Sequence, residues 1–235
     1  MNQMLFVDQI HTFYDESHIL QGLSLRVEAS KGVALVGRNG MGKTTATHSI
    51  VGFVPVRRGR ILYKGEDISR LPPYTRCKMG ITLVPQGRRI FGSLTVKENI
   101  SISCRTHRKP SGYNFEKIYT LFPALKTRSG NRGNQLSGGE QQMLAIARAL
   151  VSNPDLMLMD EPSEGLAPMV IELVGETVRK LKQEGIAVML AEQNLPLALG
   201  TCDYFYVINK GIVVFEGSGE ELQRDELAKS EYLAL

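Results

Sequence analysis

The 235-residue sequence has no tryptophan, three cysteines, four histidines and no long apolar run. The cysteines stand at 77, 104 and 202. Their odd number, wide separation and lack of a C-x-x-C pair argue against a disulfide framework and a zinc site, and fit a reducing cytosol. No apolar stretch approaches the roughly 18 residues that a membrane-crossing helix needs. "GVALVG" (32–37) and "DYFYVI" (203–208) have only the length of buried strands. If the protein works at a membrane, it must dock on another subunit. The opening residues, "MNQMLFVDQI", lack the basic-then-apolar layout of a secretory signal. A strong charge of one sign is missing too. The 28 basic and 24 acidic side chains are interspersed and leave a net charge of +4, so no nucleic-acid footprint stands out. The basic clusters "VRRGR" (56–60) and "CRTHRK" (104–109) read as a solvated turn and a loop, the latter extended by Pro110 and Gly112. There is no internal repeat and no low-complexity segment.

What the chain does have is alternation. Apolar strands are expected at "MLFVDQI", "LSLRVEA", "GVALVG", "GRILYKG", "GITLVPQ", "DLMLMD" and "IAVMLAE". Helices are expected at "KTTATHSIVGF", "PMVIELVGETVRKLKQEG" and "NLPLALGT". "YFYVINKG" and "IVVFEG" read as a closing hairpin, and the C-terminal "GEELQRDELAKSEYLAL" as a surface helix or two. Strands alternating with amphipathic helices imply an α/β fold whose parallel sheet is covered on both faces. The section from about 90 to 150 changes character. "TVKENISI", "NFEKIYTLFPAL" and "GGEQQMLAIARALVS" all carry helical spacing, so a helical lobe is expected inside a single domain spanning 1–235.

"GRNGMGKTT" (37–45) matches G-x-x-x-x-G-K-T, follows an apolar strand and opens a helix. Gly37, Gly40 and Gly42 are expected to supply backbone angles that other residues resist. Successive N–H groups then point at phosphate oxygens, helped by the helix dipole. Lys43 adds a point charge for the β- and γ-phosphates, and Thr44 offers its hydroxyl to Mg²⁺. Such a site needs a carboxylate. "LMLMDEPS" ends an apolar strand in Asp160-Glu161, where α/β folds place ligands. Asp160 is expected to hold the metal, directly or through water, leaving Glu161 as general base toward an attacking water.

"LSGGEQQ" (136–142) poses a question. A capping serine, two glycines and a run of helix formers describe a second anion site at a helix N-terminus. The phosphate cradle at 37–45 already supplies one.

Together the cradle, the glutamine of "LVPQGRRIF", "LSGGEQQ" and "LMLMDEPS" resemble, in order and spacing, the ATP-binding-cassette ATPases. The resemblance covers essentially the whole chain. The finer wording, including "DEPSEGLAP" and "AEQN", is similar to one ATPase subunit of the branched-chain amino acid importers, with the urea and short-amide importers nearly as close. It implies a P-loop NTPase core with a parallel sheet, an N-terminal antiparallel β subdomain and an inserted helical subdomain. It also implies ATP and Mg²⁺ as cofactors and a second ATPase subunit, identical or a sister, packed head to tail. Membrane permease subunits would hold the chain at the cytoplasmic face of the inner or plasma membrane, served indirectly by an extracytoplasmic solute-binding protein.

Residue by residue, the resemblance gives Gly37, Asn39, Gly40, Gly42, Lys43, Thr44 and Thr45 to the phosphates. Tyr14 would stack on adenine. Thr44, Gln86 and Asp160 would reach the metal, and Glu161, Gln86 and Gln193 would serve catalysis. Ser137, Gly138 and Gly139 would cap the γ-phosphate bound by the other subunit, which answers the question of the second anion site. "SEGLAP" (163–168) fills the place of the loop that touches the opposite site. Arg88, Arg89 and Phe91 become a docking surface for the membrane partner.

One departure matters. Most of the family has a histidine where Gln193 stands, and the four histidines at 11, 18, 48 and 107 cannot replace it. A glutamine can donate a hydrogen bond to the γ-phosphate but cannot titrate near neutral pH, which strengthens Glu161 as base. Two other classes compete. A soluble cassette acting in translation or DNA repair usually has two cassettes or a coiled-coil insertion. A P-loop kinase would leave "LSGGEQQ" idle.

Overall fold

A computed structural model describes residues 3–103, 112–228 and 230. The loop read at 104–111, with Cys104, His107 and Pro110, and the final residues 231–235 lie outside that description. The chain opens with two long strands, β1 (Gln3–Tyr14) and β2 (Ser17–Glu28), joined by a tight hairpin at Asp15 and Glu16. After β3 (Gly32–Val36) comes α1 (Lys43–Val51). Next are β4 (Val56–Tyr63), the short β5 (Glu66–Asp67), α2 (Pro73–Lys78) and β6 (Ile81–Val84). The middle section holds α3 (Val96–Ser103), α4 (Phe115–Leu121), α5 (Pro123–Thr127) and α6 (Gly138–Leu150). The chain then alternates through β7 (Leu156–Asp160), α7 (Pro168–Gln183), β8 (Ala187–Glu192) and α8 (Leu195–Leu199). It closes with the hairpin β9 (Tyr204–Asn209) and β10 (Ile212–Gly217), followed by α9 (Gly219–Arg224).

Two sheets result. The N-terminal one is antiparallel in the order β2-β1-β4-β5, and the other runs β10-β9-β3-β8-β7-β6, parallel except for β10. The apolar runs of β3, β7 and β8 are explained by burial on both faces. In β3, Ala34 and Val36 face the helices α6 and α7, while Val33 and Leu35 face the other sheet and α1. Met157 and Met159 of β7 likewise face the first core, and Leu156 and Leu158 the second. Each fully buried aliphatic side chain here stabilises the fold by about 1.5–3 kcal/mol.

The helical section is fastened to the sheet by one continuous apolar cluster. Val96, Ile100, Ile118, Phe122 and Leu125 belong to the same core as Leu144 of α6 and Met157 of β7. Two local expectations need correction. "VRRGR" (56–60), read as a solvated turn, is the largely exposed first half of β4, paired with β1. "NFEKIYTLFPAL" is not one helix: Phe122 (φ −126, ψ 77) breaks it, because Pro123 cannot continue a helix and instead opens the next one at its first position. The short α2 carries no apolar periodicity in the sequence. Its Arg76 is nonetheless almost fully buried, donating 2.8 Å hydrogen bonds to the carbonyls of Ser49 and Ile50 at the end of α1. A guanidinium there partners the Ile50 carbonyl, adds a second bond to the Ser49 carbonyl, which also accepts from the Gly52 amide at 3.2 Å, and complements the helix dipole.

Candidate functional site

The register of the parallel sheet brings three strand ends together. Val36 lies opposite Glu192, and Asp160 opposite Ala191, so β3, β7 and β8 finish side by side. The cradle leaves β3 at that edge. Gly40 (φ +79) and Gly42 (φ +109) take the left-handed backbone expected of them. Gly37 does not, and its reason is different. A Cβ there would lie 2.5 Å from the carbonyl oxygen of Ile208 in β9, so close strand packing, not a special angle, demands glycine.

Lys43 is 3% exposed. Its ammonium donates to the carbonyls of Gly37 (2.7 Å) and Arg38 (3.0 Å) and pairs with Glu161 Oε1 at 2.9 Å. The lysine thus lies folded against its own loop and held by Glu161. Thr44 Oγ1 donates to Asp160 Oδ1 at 3.2 Å. Asp160 is 1% exposed, and its other oxygen, Oδ2, is buried without a hydrogen-bond partner. Burial pushes its carboxyl up to about 6, and the charge of Glu161 adds to the rise; the hydrogen bond from Thr44 and the charge of Lys43 oppose it. An orphaned carboxylate oxygen beside a threonine hydroxyl is a hard, oxygen-only donor set of the kind Mg²⁺ takes with only one or two protein ligands. Among the described residues no group of three or more His, Cys, Asp or Glu is placed to hold a metal.

Glu161 has a left-handed backbone (φ +46), which costs a non-glycine residue about 1–3 kcal/mol and is found where surrounding structure enforces it. Its amide donates to the Ala191 carbonyl at 2.8 Å, so β8 enforces that conformation. Gln86, two residues past β6, donates to Glu161 Oε2 (3.2 Å) and Glu164 Oε2 (3.1 Å). Gln193 is exposed at the end of β8. It borders a cleft of about 470 Å³ shared with Asn39, Glu161, Ser163 and Glu192. Thr45 is buried in α1, and Tyr14 is 45% exposed at the end of β1.

Ser137 caps α6. Its side chain accepts from the Glu140 amide at 3.3 Å, and the Glu140 carboxylate accepts from the Ser137 amide at 2.8 Å. This reciprocal box fixes the entry of the helix. Gly139 is pressed against α7, where a Cβ would meet Val170 at 2.8 Å; at Gly138 a Cβ would come within 3.0 Å of Arg88. No residue of 136–140 lines the cleft beside the cradle. On another face, a groove of about 530 Å³ runs between α1, α2 and β6, bordered by His48, Phe53, Tyr74, Arg89 and Arg148. Phe53 and Tyr74 are exposed, and Arg148 lies over the Phe91 ring while donating to the Arg89 carbonyl at 2.8 Å.

Sequence reasoning missed two acidic residues of this region. Glu164 holds Gln86, and Glu192 accepts three backbone hydrogen bonds at the end of β8. Glu164 meets Gln86 from 78 residues away and Glu192 meets Ser163 from 29 residues away, so neither contact has a local signature, although the amides of Gln193 and Asn194 are neighbours of Glu192 in sequence.

A glycine-rich phosphate cradle between a buried strand and a helix, with a buried aspartate at the next-but-one strand end, defines a P-loop ATPase. The chain belongs to the ABC transporter family, whose model matches residues 20–164. It is 40% identical to the high-affinity branched-chain amino acid transport ATP-binding protein BraG of Pseudomonas aeruginosa over 98% of this chain and 99% of that one. It is 36% identical to the probable branched-chain amino acid transport ATP-binding protein LivF of Archaeoglobus fulgidus over 95% of both. It is also 33% identical to the lipopolysaccharide export protein LptB of Haemophilus influenzae, covering 98% and 97%. Among solved structures, a nucleotide-free ATP-binding cassette from an ABC transporter is similar, with TM-score 0.85 and 28% identity across 96% of this chain and 95% of that one. The protein is therefore an ATP-hydrolysing cassette of a transporter. Among the described residues no helix is long and apolar enough to cross a membrane.

Proposed function

We propose that this chain is one ATPase subunit of a branched-chain amino acid importer, working at a head-to-tail dimer interface beneath separate permease subunits. The observation that supports the mechanism best is the position of Lys43, held by two cradle carbonyls and by Glu161. Phosphate oxygens entering the cradle offer Lys43 a better partner than Glu161. Its transfer to the β- and γ-phosphates frees Glu161 Oε1 to accept the proton of an attacking water. Mg²⁺, held by Thr44, Gln86 and Asp160, would offset charge on the phosphate oxygens. Gln86 and Gln193 orient the water and donate to the γ-phosphate, while Asn39 and Thr45 complete the cradle and Tyr14 stacks on adenine. Ser137, Gly138 and Gly139 of one copy, at the capped N-terminus of α6, close the site of the other.

The groove bordered by Phe53, Tyr74 and Arg89, with Arg88 and Phe91 nearby, is the surface for the permease. The importer reading rests on full-length similarity to BraG and LivF. A second reading, export of a lipopolysaccharide-type lipid, has comparable coverage at lower identity. The test is to co-purify the membrane subunits, rebuild the complex in vesicles and measure ATP-dependent solute uptake. Uptake of leucine, isoleucine or valine is expected. Uptake of urea or acetamide alone, or release of a lipid instead, would reject the branched-chain cargo.

A further inference from the structure

We infer that Glu192 is a positioning residue that ties Gln193 to the 161–168 loop, so that the two shift together when nucleotide binds. The inference rests on the dimer reading above, in which Gln193 serves its own site and residues 163–168 face the opposite one. Glu192 is 2% exposed. Among the described residues it makes no ion pair. A bare carboxylate is costly to bury unless hydrogen bonds replace the lost water. Three backbone amides replace it here. Oε1 accepts from Ser163 at 2.9 Å, and Oε2 accepts from Gln193 and from Asn194, each at 2.9 Å. The backbone carbonyl of the same residue accepts from Gly37 at 3.3 Å, at the start of the cradle. One side chain therefore joins two loops that are 29 residues apart in sequence, and its own backbone touches the third element of the site.

The chemistry requires a carboxylate. Both of its oxygens accept hydrogen bonds, whereas a glutamine has one accepting oxygen and a donating NH₂. In Glu192→Gln that NH₂ must face either the Ser163 amide or the Gln193 and Asn194 amides, so one loop is released while the side-chain volume is kept. The cradle itself loses nothing, because the carbonyl that anchors Gly37 is untouched. The signature of a positioning role is thus a loss in turnover with nucleotide affinity unchanged.

The experiment uses the purified full-length chain with Mg-ATP, over protein concentrations that span dimerisation. Turnover, KM, cooperativity in ATP, fluorescent-ATP affinity and melting temperature are measured for the wild type, Glu192→Gln, Glu192→Asp, Gln193→Ala and the Glu192→Gln/Gln193→Ala pair. Glu192→Gln is expected to lower turnover by about 10–100-fold, the usual cost of removing a support behind a functional group. It should also lose cooperativity, with ATP affinity within about twofold of wild type. Glu192→Asp keeps two accepting oxygens and is expected to recover part of the turnover. The double variant is expected to be no slower than the slower single one, because both changes act through the same loop. Unchanged turnover in Glu192→Gln, or losses that multiply in the double variant, would overturn the proposal. If Glu192→Gln melts far below the wild type, Glu192→Asp decides: a folded Glu192→Asp with lower turnover and intact affinity supports it, and one with equal losses in both counts against it. Failure of the dimer reading looks different, as wild-type activity independent of protein concentration with Gln193→Ala fully active.

Discussion

Replacing Asp160 with asparagine should make the nucleotide-free protein more stable and inactive at once. The carboxyl of Asp160 is pushed from its ordinary value of 3.8 up to about 6, chiefly by burial. A carboxyl that is harder to ionise when folded binds more protons in the native than in the unfolded state between those two values. Stability from this group therefore falls as pH rises from about 4 to about 6 and stays low above that. At about 1.4 kcal/mol per tenfold change in proton affinity, the ionised aspartate costs the fold about 3 kcal/mol at pH 7.5 and about 1.6 kcal/mol at pH 5. The substituted carboxamide cannot ionise, keeps an oxygen for the Thr44 hydroxyl, and places its NH₂ where Oδ2 already lacks a partner. The Asp160→Asn variant should melt about 6 °C above wild type at pH 7.5, using about 2.1 cal/mol/K per residue for the unfolding entropy. About half of that gain should remain at pH 5. The chain has no tryptophan, so calorimetry in EDTA without nucleotide is the suitable assay. A gain that is absent, or that does not shrink as the pH is lowered, would refute the claim that the metal-side carboxylate is held at a desolvation cost. Mg-dependent ATP hydrolysis should be lost in the same variant.

Three further outcomes follow from the same geometry. Lys43→Ala removes charge-assisted bonds worth about 1.5–3 kcal/mol each and leaves Glu161 unpaired, so fluorescent-ATP binding should be abolished; retained binding would contradict the cradle assignment. Glu161→Gln should bind ATP and turn over about 10²–10⁴-fold more slowly, and wild-type turnover in single-cycle assays would remove Glu161 as base. Gln193 does not titrate, so the pH–rate profile should show no inflection near 6.5 arising from that position; an inflection that vanishes in Gln193→Ala would show otherwise.

The parts of this molecule readable from sequence are those whose physics is local. The apolar runs of β3, β7 and β8 announce burial on both faces, and Gly40 and Gly42 announce left-handed turns, because each property belongs to the residue and its immediate neighbours. The parts not readable depend on contacts across the sheet. Gly37 sits inside the phosphate motif, yet its need for glycine comes from Ile208, far along the chain in β9. Arg76 looks like one more basic residue in a polar segment until α2 sets it against the carbonyl end of α1. The same distinction separates the two glutamates at the end of β7 and β8. Glu161 follows an aspartate at a strand end and can be inferred from the chemistry that a nucleotide site needs. Glu192 follows an alanine in an apolar strand, and nothing nearby in sequence shows that Ser163 will present its amide to it. Gly37→Ala exposes this directly: a methyl group 2.5 Å from a backbone oxygen cannot be accommodated by a rotamer change, so β3 and β9 must separate. The melting temperature should fall even with nucleotide absent, whereas a glycine needed only for phosphate approach would leave the empty protein unaffected.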